Sequence, residues 1–192
     1  MFKDFLDQLK LCGKLEYNYN LKHLTRFKVG GGCDVFYKPH NAEELSYFLQ
    51  NIPLNIPVTT IGAGSNILIR DGGIDGIVIK LSKNFNKLQY QGDYIVAGAN
   101  TLNYSVVQFA LLHEVRNLEF LIGIPGSVGG GIFMNAGAYG TEFKDIIIDF
   151  KAIDRNGIFH EIKAETMQCE YRKSNLPEDW IILEAKLKAI KG

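Results

Sequence analysis

Glycine is concentrated in three segments of the chain, and these are the residues best suited to bind a ligand. Gly30–Gly32 and Gly62–Asn66 are short, whereas the third segment runs from Gly123 to Gly140. Glycine is typical where a chain turns at positive φ or lies close against a ligand. Successive N–H groups in such loops form concavities that bind anions. The segments therefore predict a phosphate site made of backbone, although ordinary tight turns explain the first triplet equally well.

The residues that follow Gly62 exclude the two most familiar nucleotide-binding loops. A Rossmann loop has the pattern G-x-G-x-x-G and leads from a strand into a helix. Here the sixth position is Ile67, and a strand is predicted to follow. A P-loop is excluded because no Gly-Lys-Ser/Thr sequence follows the glycines. Ser65 and Asn66 add side-chain donors, so we expect a strand-loop-strand element to hold the phosphates.

Composition limits the class of partner. The 21 basic and 21 acidic residues cancel, without a basic block or an acidic tail, so neither nucleic acid nor a membrane surface is an expected partner. No protein partner is predicted. The N-terminal residues lack the apolar stretch of a signal peptide, and the apolar runs are only strand-sized. Cys12, Cys33 and Cys169 have no metal-ligand spacing, which indicates reduced thiols in a cytoplasmic protein without a bound metal.

The first third of the chain predicts two helices and a strand. Residues 2–12 have the apolar spacing of an amphipathic helix, and residues 34–38 indicate a strand that ends at Pro39. Asn41, with Glu44 three residues later, is typical of a helix N-terminus. The apolar positions expected to face the core are Phe2, Phe5, Leu6 and Leu9 in the first helix, and Leu45, Phe48 and Leu49 in the second.

Short β-branched segments follow. Residues 57–61, 67–69 and 77–79 predict strands separated by glycine turns. Thr101 is expected to cap a further helix. The residues of that helix expected to share one face are Leu102, Val106, Phe109, Ala110 and His113.

The last third predicts strands at about 147–154, 158–162 and 181–189, with residues 154–157 as a hairpin turn between the first two. Helices and strands intermix without regular βαβ alternation. An α+β fold with a mixed sheet is therefore favoured over a doubly wound parallel sheet.

Five segments resemble, in order and at similar spacing, the successive motifs of the UDP-N-acetylenolpyruvoylglucosamine reductase family. They are Thr25–Gly31, Gly62–Gly73, Leu118–Gly130, Asn135–Gly140 and Tyr171–Ser174. One such motif alone would have little specificity, whereas five in register are specific. The resemblance extends from about residue 20 to the end of the chain.

The resemblance implies the FAD-binding fold of the vanillyl-alcohol oxidase type, in which two α+β subdomains hold the cofactor. By this comparison, residues 1–20 form an N-terminal helix and connection, 21–98 the first subdomain and 99–192 the second. The C-terminal substrate domain of the family is expected to be absent from this sequence.

The resemblance also implies where FAD binds. Gly62–Ile67 would wrap the diphosphate, and Gly123–Val128 and Asn135–Gly140 would line the ribityl chain and the isoalloxazine ring. The cofactor is expected to be held without a covalent bond to Cys33. The implied FAD-binding residues are Val29, Gly30, Gly31, Ile61, Gly62, Ala63, Gly64, Ser65, Asn66, Ile67, Gly123, Ile124, Pro125, Gly126, Ser127, Gly129, Gly130, Asn135, Ala136, Gly137, Ala138 and Tyr139.

The implied reaction is the reduction of UDP-N-acetylglucosamine enolpyruvate to UDP-N-acetylmuramate, with NADPH as hydride donor, in peptidoglycan synthesis. Arg172 matches the catalytic arginine of the family, and Tyr171 and Arg172 are the implied substrate contacts. The proton-donor serine and a late glutamate of the family belong to the substrate domain. Ser127 and Ser174 match other positions and do not take the serine's role, so the chain alone is expected to turn over poorly.

Two other functions remain open from the sequence. The chain could be a non-catalytic module that binds a dinucleotide in its glycine loops. It could also be a different flavin oxidoreductase of the same fold, acting on an unrelated alcohol. The segment Tyr171–Ser174 disfavours the second alternative.

Overall fold

The computed structural model describes residues 2–192, except for the side chain of Phe2, whose predicted core position lies outside this description. The helices are α1 (Phe2–Asp7), α2 (Ala42–Asn51), α3 (Asn103–Leu112), α4 (Val128–Phe133) and α5 (Phe143–Ile146). The longer strands are β1 (Lys14–Asn20), β2 (Gly32–Lys38), β3 (Val58–Thr60), β4 (Ile74–Ile79), β5 (Leu88–Tyr90), β6 (Tyr94–Gly98), β10 (Ile147–Ile153), β11 (Phe159–Lys163) and β12 (Ile181–Lys188). Two-residue strands are β7 (Val115–Arg116), β8 (Gly137–Ala138), β9 (Thr141–Glu142) and β13 (Ile190–Lys191).

The first sheet has the strand order β1-β2-β4-β3. β1 is antiparallel to β2, whereas β2, β4 and β3 run parallel. The expected mixed sheet is therefore confirmed. Because β3 and β4 are parallel neighbours, the chain that joins them, residues 61–73, must return along the sheet. This connection contains the second glycine segment.

The second sheet is antiparallel throughout, in the order β11-β10-β12-β6-β5. The predicted hairpin at residues 154–157 joins β10 to β11, and Gly157 takes the positive φ, 76°, that this turn requires. β5 and β6 belong to this sheet. The change of sheet therefore falls between Ile79 and Leu88, whereas the expected subdomain division after residue 98 stays a prediction.

The predicted N-terminal helix is wrong in its length. α1 ends at Asp7 instead of continuing to residue 12, and the unpredicted strand β1 begins at Lys14. The carboxylate of Glu44 accepts hydrogen bonds from the backbone N–H groups of Cys12 and Gly13, the latter at 2.9 Å. This contact, from a residue distant in sequence, holds the chain in a non-helical connection of turns and bends between the two elements.

Residues 67–69 do not form the predicted strand. Burial explains the apolar character of Ile69, which packs in a small core cluster with Ile61 and Val78, whereas Leu68 is exposed. The segment is instead attached through the carbonyl of Arg70, which accepts a hydrogen bond of 2.9 Å from the N–H of Gly31.

The helix predictions differ in outcome. α2 begins as expected, since the Asn41 side chain accepts a hydrogen bond of 2.8 Å from the N–H of Glu44. The predicted helix near residue 101 is present as α3, but Thr101 is not its cap, because its hydroxyl instead donates to the carbonyl of Lys87. α4 was not predicted, because three successive glycines lower its helix propensity.

One large apolar cluster spans both sheets. Among its fully buried members are Tyr37 and Phe48 of the first sheet region and Phe143 and Phe150 of the second. This shared core fixes the position of one sheet against the other. Within residues 2–192, no helix is both long and apolar enough to cross a membrane.

Gly131 in α4 provides a test of this packing. A Cβ there would lie 2.2 Å from Cε2 of the buried Phe143 ring, so Gly131→Ala should destabilise the protein by about 1–3 kcal/mol. Gly130→Ala is the matched control, because its Cβ would meet only Ser127 Oγ at 3.6 Å. The control should be neutral or stabilise by up to about 1 kcal/mol. Urea unfolding measures both, and equal stabilities would contradict the packing described.

A second test concerns Glu44, which accepts hydrogen bonds from Tyr37 Oη (2.7 Å) and the His40 N–H (2.9 Å) besides those of Cys12 and Gly13. Burial alone would raise the pKa of the carboxyl, but these hydrogen bonds outweigh it, and the pKa lies below its usual value. A depressed carboxyl pKa gives stability that is present above the unfolded pKa and is lost as pH falls through the folded pKa.

Glu44→Gln should therefore lower the free energy of unfolding by about 1–3 kcal/mol at neutral pH. The difference from the wild type should shrink in acid, once pH falls below the usual glutamate pKa of about 4.3. Glu43→Gln, at the exposed neighbouring position, is the control. Urea unfolding at neutral and acid pH checks this, and a loss that does not depend on pH would refute it.

Candidate functional site

The loop of residues 62–67 follows β3 and is held in place by its carbonyls and glycines. Gly64 has φ 69°, and its carbonyl accepts a hydrogen bond of 2.9 Å from the N–H of Arg26. A Cβ at Gly64 would lie 1.7 Å from the carbonyl oxygen of Leu24. Only glycine is therefore compatible with this close approach of the two backbones.

The backbone N–H groups of this loop have no hydrogen-bond acceptor in the part of the chain that the structure describes. Across residues 2–192, no acceptor receives a hydrogen bond from any backbone N–H between Gly62 and Ile67. Backbone N–H groups in folded proteins are otherwise nearly always paired with protein or water. A run of free amides in one bend is suited to bind an anion, and the phosphate site expected from the sequence stays a prediction.

The loop at residues 123–127 lies directly against this bend. Ser65 Oγ donates a hydrogen bond of 2.8 Å to the carbonyl of Pro125, and a Cβ at Gly62 would lie 2.7 Å from Ser127 Oγ. Gly126 has φ 151°, and a Cβ there would have no heavy atom closer than 3.4 Å. Two of the predicted cofactor segments, joined by a hydrogen bond between residues 60 positions apart in sequence, are thus brought together.

Asn103 is a polar residue of this region that the sequence did not reveal. It is fully buried, and its Nδ2 donates a hydrogen bond of 3.0 Å to the carbonyl of Ile124. Its Oδ1 is buried without a hydrogen-bond partner in the described part of the chain. An orphaned acceptor of this kind can be satisfied by a donor group of a ligand.

The first glycine triplet is used for packing against the chain itself. A Cβ at Gly30 would lie 2.7 Å from the carbonyl oxygen of Ile69, and one at Gly31 would lie 2.2 Å from that of Asp71. These contacts explain both glycines without a ligand, the alternative that the sequence left open. Val29 is exposed beside them.

The segment 135–140 contains β8 and the tip of a small hairpin, which β9 completes. Tyr139 lies at its tip with φ 54° and is strongly exposed. A Cβ at Gly123 would come within 2.8 Å of Tyr139 Cε2, so the tyrosine ring lies over that glycine. The hairpin therefore continues the surface that begins at residue 123.

Asn135 ties this hairpin to the turn that carries Arg172. Its buried Nδ2 donates to Glu142 Oε2 at 3.0 Å and to the carbonyl of Glu170 at 3.1 Å. Its Oδ1 accepts a hydrogen bond of 3.1 Å from the N–H of Lys144. The amide side chain thus uses both ends to fix two loops against each other.

Arg172 lies at the tip of a tight turn closed by backbone hydrogen bonds between Glu170 and Lys173. It has φ 58°, is exposed, and places its guanidinium 5.6 Å from the centre of the Tyr171 ring. A guanidinium that stays protonated and presents a planar fork is suited to bind a carboxylate with two hydrogen bonds.

A cavity of about 540 Å³ lies between the hairpin of β8 and β9 and the turn that carries Arg172. It is lined by residues 137–142, Lys144, Asp145, Tyr171 and Arg172. A hydrogen bond from Lys144 is the main cause of a lowered pKa for the Glu142 carboxyl, and Asn135 and the charge of Arg172 act in the same direction. The cavity wall therefore carries fixed charges of both signs.

Ser127 and Ser174, which were not expected to act as the proton donor, are both buried. Ser174 is buried, and its hydroxyl donates a hydrogen bond of 2.6 Å to the carbonyl of Phe133. Ser127 lies at the start of α4.

Cys33 is also buried, and burial raises the pKa of its thiol to about 11. A thiol with so high a pKa is poorly suited to covalent attachment of a flavin.

A protein-family model described as an FAD binding domain matches residues 33–163. The chain belongs to the FAD-binding domain family. Its cofactor is FAD, as expected from the sequence, and the expected α+β FAD-binding fold is confirmed.

The residues present fit FAD. Free amides at residues 62–67 suit a diphosphate, the missing side chain of Gly126 leaves room beside Ser65, and the orphaned Oδ1 of Asn103 suits a ligand donor. The individual contacts assigned to FAD from the sequence remain predictions.

Curated relatives of this FAD-binding domain carry the name of the family predicted from the motifs. The UDP-N-acetylenolpyruvoylglucosamine reductase of Rickettsia akari (strain Hartford) is 49% identical over 180 residues, which cover 94% of this chain and 61% of the relative. That of Rickettsia bellii (strain RML369-C) is 49% identical, covering 94% and 60%. The predicted resemblance is confirmed, and the chain spans about three fifths of the length of these relatives.

Solved structures of similar fold support the same family. The UDP-N-acetylenolpyruvylglucosamine reductase of Thermus caldophilus superposes with a TM-score of 0.79 at 32% identity, covering 93% of this chain and 62% of that one. A BBE-like protein of Physcomitrella patens gives a TM-score of 0.69 at 15% identity, covering 100% and 44%. At that identity the second likeness concerns the fold alone.

Gly64→Ala tests the loop of the FAD-binding domain. The clash with Leu24 and the positive φ should displace the amides and weaken FAD binding at least about tenfold, equivalent to about 1.4 kcal/mol. Gly72→Ala, where a Cβ would have no atom within 4 Å, is the control and should bind FAD normally. Titration with FAD, followed by fluorescence, measures both. Normal affinity in a folded Gly64→Ala variant would show that the loop geometry is not needed.

Proposed function

We propose that this chain is the FAD-binding part of a UDP-N-acetylenolpyruvoylglucosamine reductase. In the proposed reaction, a hydride and a proton are added across the enolpyruvyl double bond of UDP-N-acetylglucosamine enolpyruvate, and NADPH is oxidised to NADP⁺. The product, UDP-N-acetylmuramate, serves peptidoglycan synthesis, which is a cytoplasmic role. The observation that carries the proposal is the 49% identity to the Rickettsia akari reductase over 94% of this chain.

The proposed division of labour follows the geometry. Residues 62–67 hold the FAD diphosphate through backbone N–H groups, while residues 123–130 and 135–139 lie along the ribityl chain and flavin ring, with Val29–Gly31 and Ile61 nearby. FAD, when bound, supplies the hydride transfer from NADPH to the substrate. The cavity beside Tyr139 supports a substrate position next to these segments.

Arg172 is the proposed catalytic residue, and Tyr171 a proposed substrate contact. Hydride addition to the enolpyruvyl group leaves negative charge that spreads onto the substrate carboxylate as an enolate. The guanidinium binds that carboxylate and stabilises the developing charge, which lowers the barrier. A proton added to the neighbouring carbon then completes the reduction. Because Arg172 is exposed at a turn tip, it can reach a substrate without rearrangement of the core.

The first test uses the chain as it is. Purified protein should bind FAD, NADPH should bleach the bound flavin in the absence of oxygen, and UDP-N-acetylglucosamine enolpyruvate should restore the colour slowly. A protein that gains no flavin absorbance with FAD would refute the proposal. Flavin that binds but is not bleached by NADPH would favour a non-catalytic dinucleotide-binding module.

Arg172→Gln tests the assigned role. Loss of the guanidinium should slow substrate-dependent reoxidation of the flavin about 100-fold, while the affinity for FAD stays within about twofold. Arg172→Lys should recover only part of the rate, because an ammonium lacks the planar fork. Lys173→Gln, an exposed cation in the same turn, is the control. Stopped-flow absorbance measures the rates, and an unchanged rate in Arg172→Gln would remove Arg172 from the mechanism.

A further inference from the structure

Lys80 is a cation close to the loop of residues 62–67. None of the sequence motifs includes it. It follows β4 directly and is half-buried. Its Nζ donates a hydrogen bond to the carbonyl of Gly62, the first residue of the loop. Neighbouring backbone contacts fix its position, since Ile61 N–H donates to the carbonyl of Ile79 and Lys80 N–H donates to that of Tyr37, at 2.9 and 3.0 Å.

No carboxylate compensates the charge of Lys80 within residues 2–192. Its contact in that range is the Gly62 carbonyl, and the charge that acts on it is the like charge of Lys38. Burial, and then Lys38, lower the pKa of Lys80. Placing an ammonium in such surroundings costs free energy unless an anion comes near. An anion bound nearby would therefore offset the cost of holding this charge.

The hydrogen bond also orients the loop. In a trans peptide the C=O and N–H point in opposite directions. Because the Gly62 carbonyl points at Lys80, the N–H of Ala63 in the same peptide points away from it. That N–H is the first of the free amides that follow in the bend. Lys80 thus lies on the carbonyl side of the Gly62–Ala63 peptide, opposite the free N–H of Ala63.

We propose that Lys80 is the positioning cation of the cofactor diphosphate. It holds the Gly62–Ala63 peptide with its N–H toward the phosphates, and it supplies positive charge that the backbone amides lack. This role deepens the proposed function and rests on it, because it requires FAD at residues 62–67. Lys80 acts through Gly62 and takes no part in hydride transfer.

Three variants separate charge from structure. Lys80→Gln keeps a side-chain donor but removes the charge, and should weaken both FAD and ADP at least about tenfold. Lys80→Arg keeps the charge and should stay within about threefold of the wild type. Lys83→Gln changes the net charge equally at an exposed position three residues away, and should bind FAD normally. Circular dichroism and thermal unfolding first establish that each variant is folded.

Riboflavin distinguishes a direct electrostatic role from a general loss of structure. It carries the flavin ring without phosphate, so its binding, measured by competition with FAD, should be the same in Lys80→Gln and the wild type. Equal affinities of Lys80→Gln and wild type for FAD and ADP would overturn the proposal, as would an equal weakening of riboflavin and FAD. If the wild type itself did not bind FAD, the proposed function would fail instead.

Discussion

The candidate site depends on one constraint: the backbone N–H groups of residues 62–67 must stay unpaired yet fixed in direction. The structure meets it by holding the loop through its other atoms. The carbonyls of Gly62 and Gly64 accept hydrogen bonds, and the hydroxyl of Ser65 donates one. None of these interactions uses a loop N–H. The bend therefore keeps a partial positive charge that favours a bound anion, although the net charge of the chain is zero.

The long glycine segment connects this candidate anion site to the proposed reaction site. At one end, Pro125 receives the hydrogen bond from Ser65. At the other, Asn135 fixes the turn that carries Arg172. Because the intervening chain packs on the large core through Val128, both ends are positioned by the same core. Fixed positioning is what a protein supplies to a redox cofactor, since the redox chemistry belongs to the cofactor.

Sequence patterns of a few residues predicted those helix starts and turns that depend only on neighbouring residues. The Asn41 cap and the turn at Gly157 were found because their side chain or backbone requirement is encoded within a few residues. The loop at residues 67–69 resembled a strand because burial of Ile69 selects the same residue types. The motifs pointed to the candidate site residues but not to Asn103 or Lys80, because these two reach the site region through hydrogen bonds to residues 21 and 18 positions away.

The central claim is that the free amides of residues 62–67 bind the cofactor diphosphate, and these amides can be observed directly. Hydrogen exchange and ¹H–¹⁵N chemical shifts of the loop, recorded with and without FAD, measure it residue by residue. We predict that these N–H groups become protected and shift on addition of FAD or ADP but not of riboflavin. If the protein bound FAD while these amides stayed unprotected and unshifted, the diphosphate would lie elsewhere and the account would be contradicted.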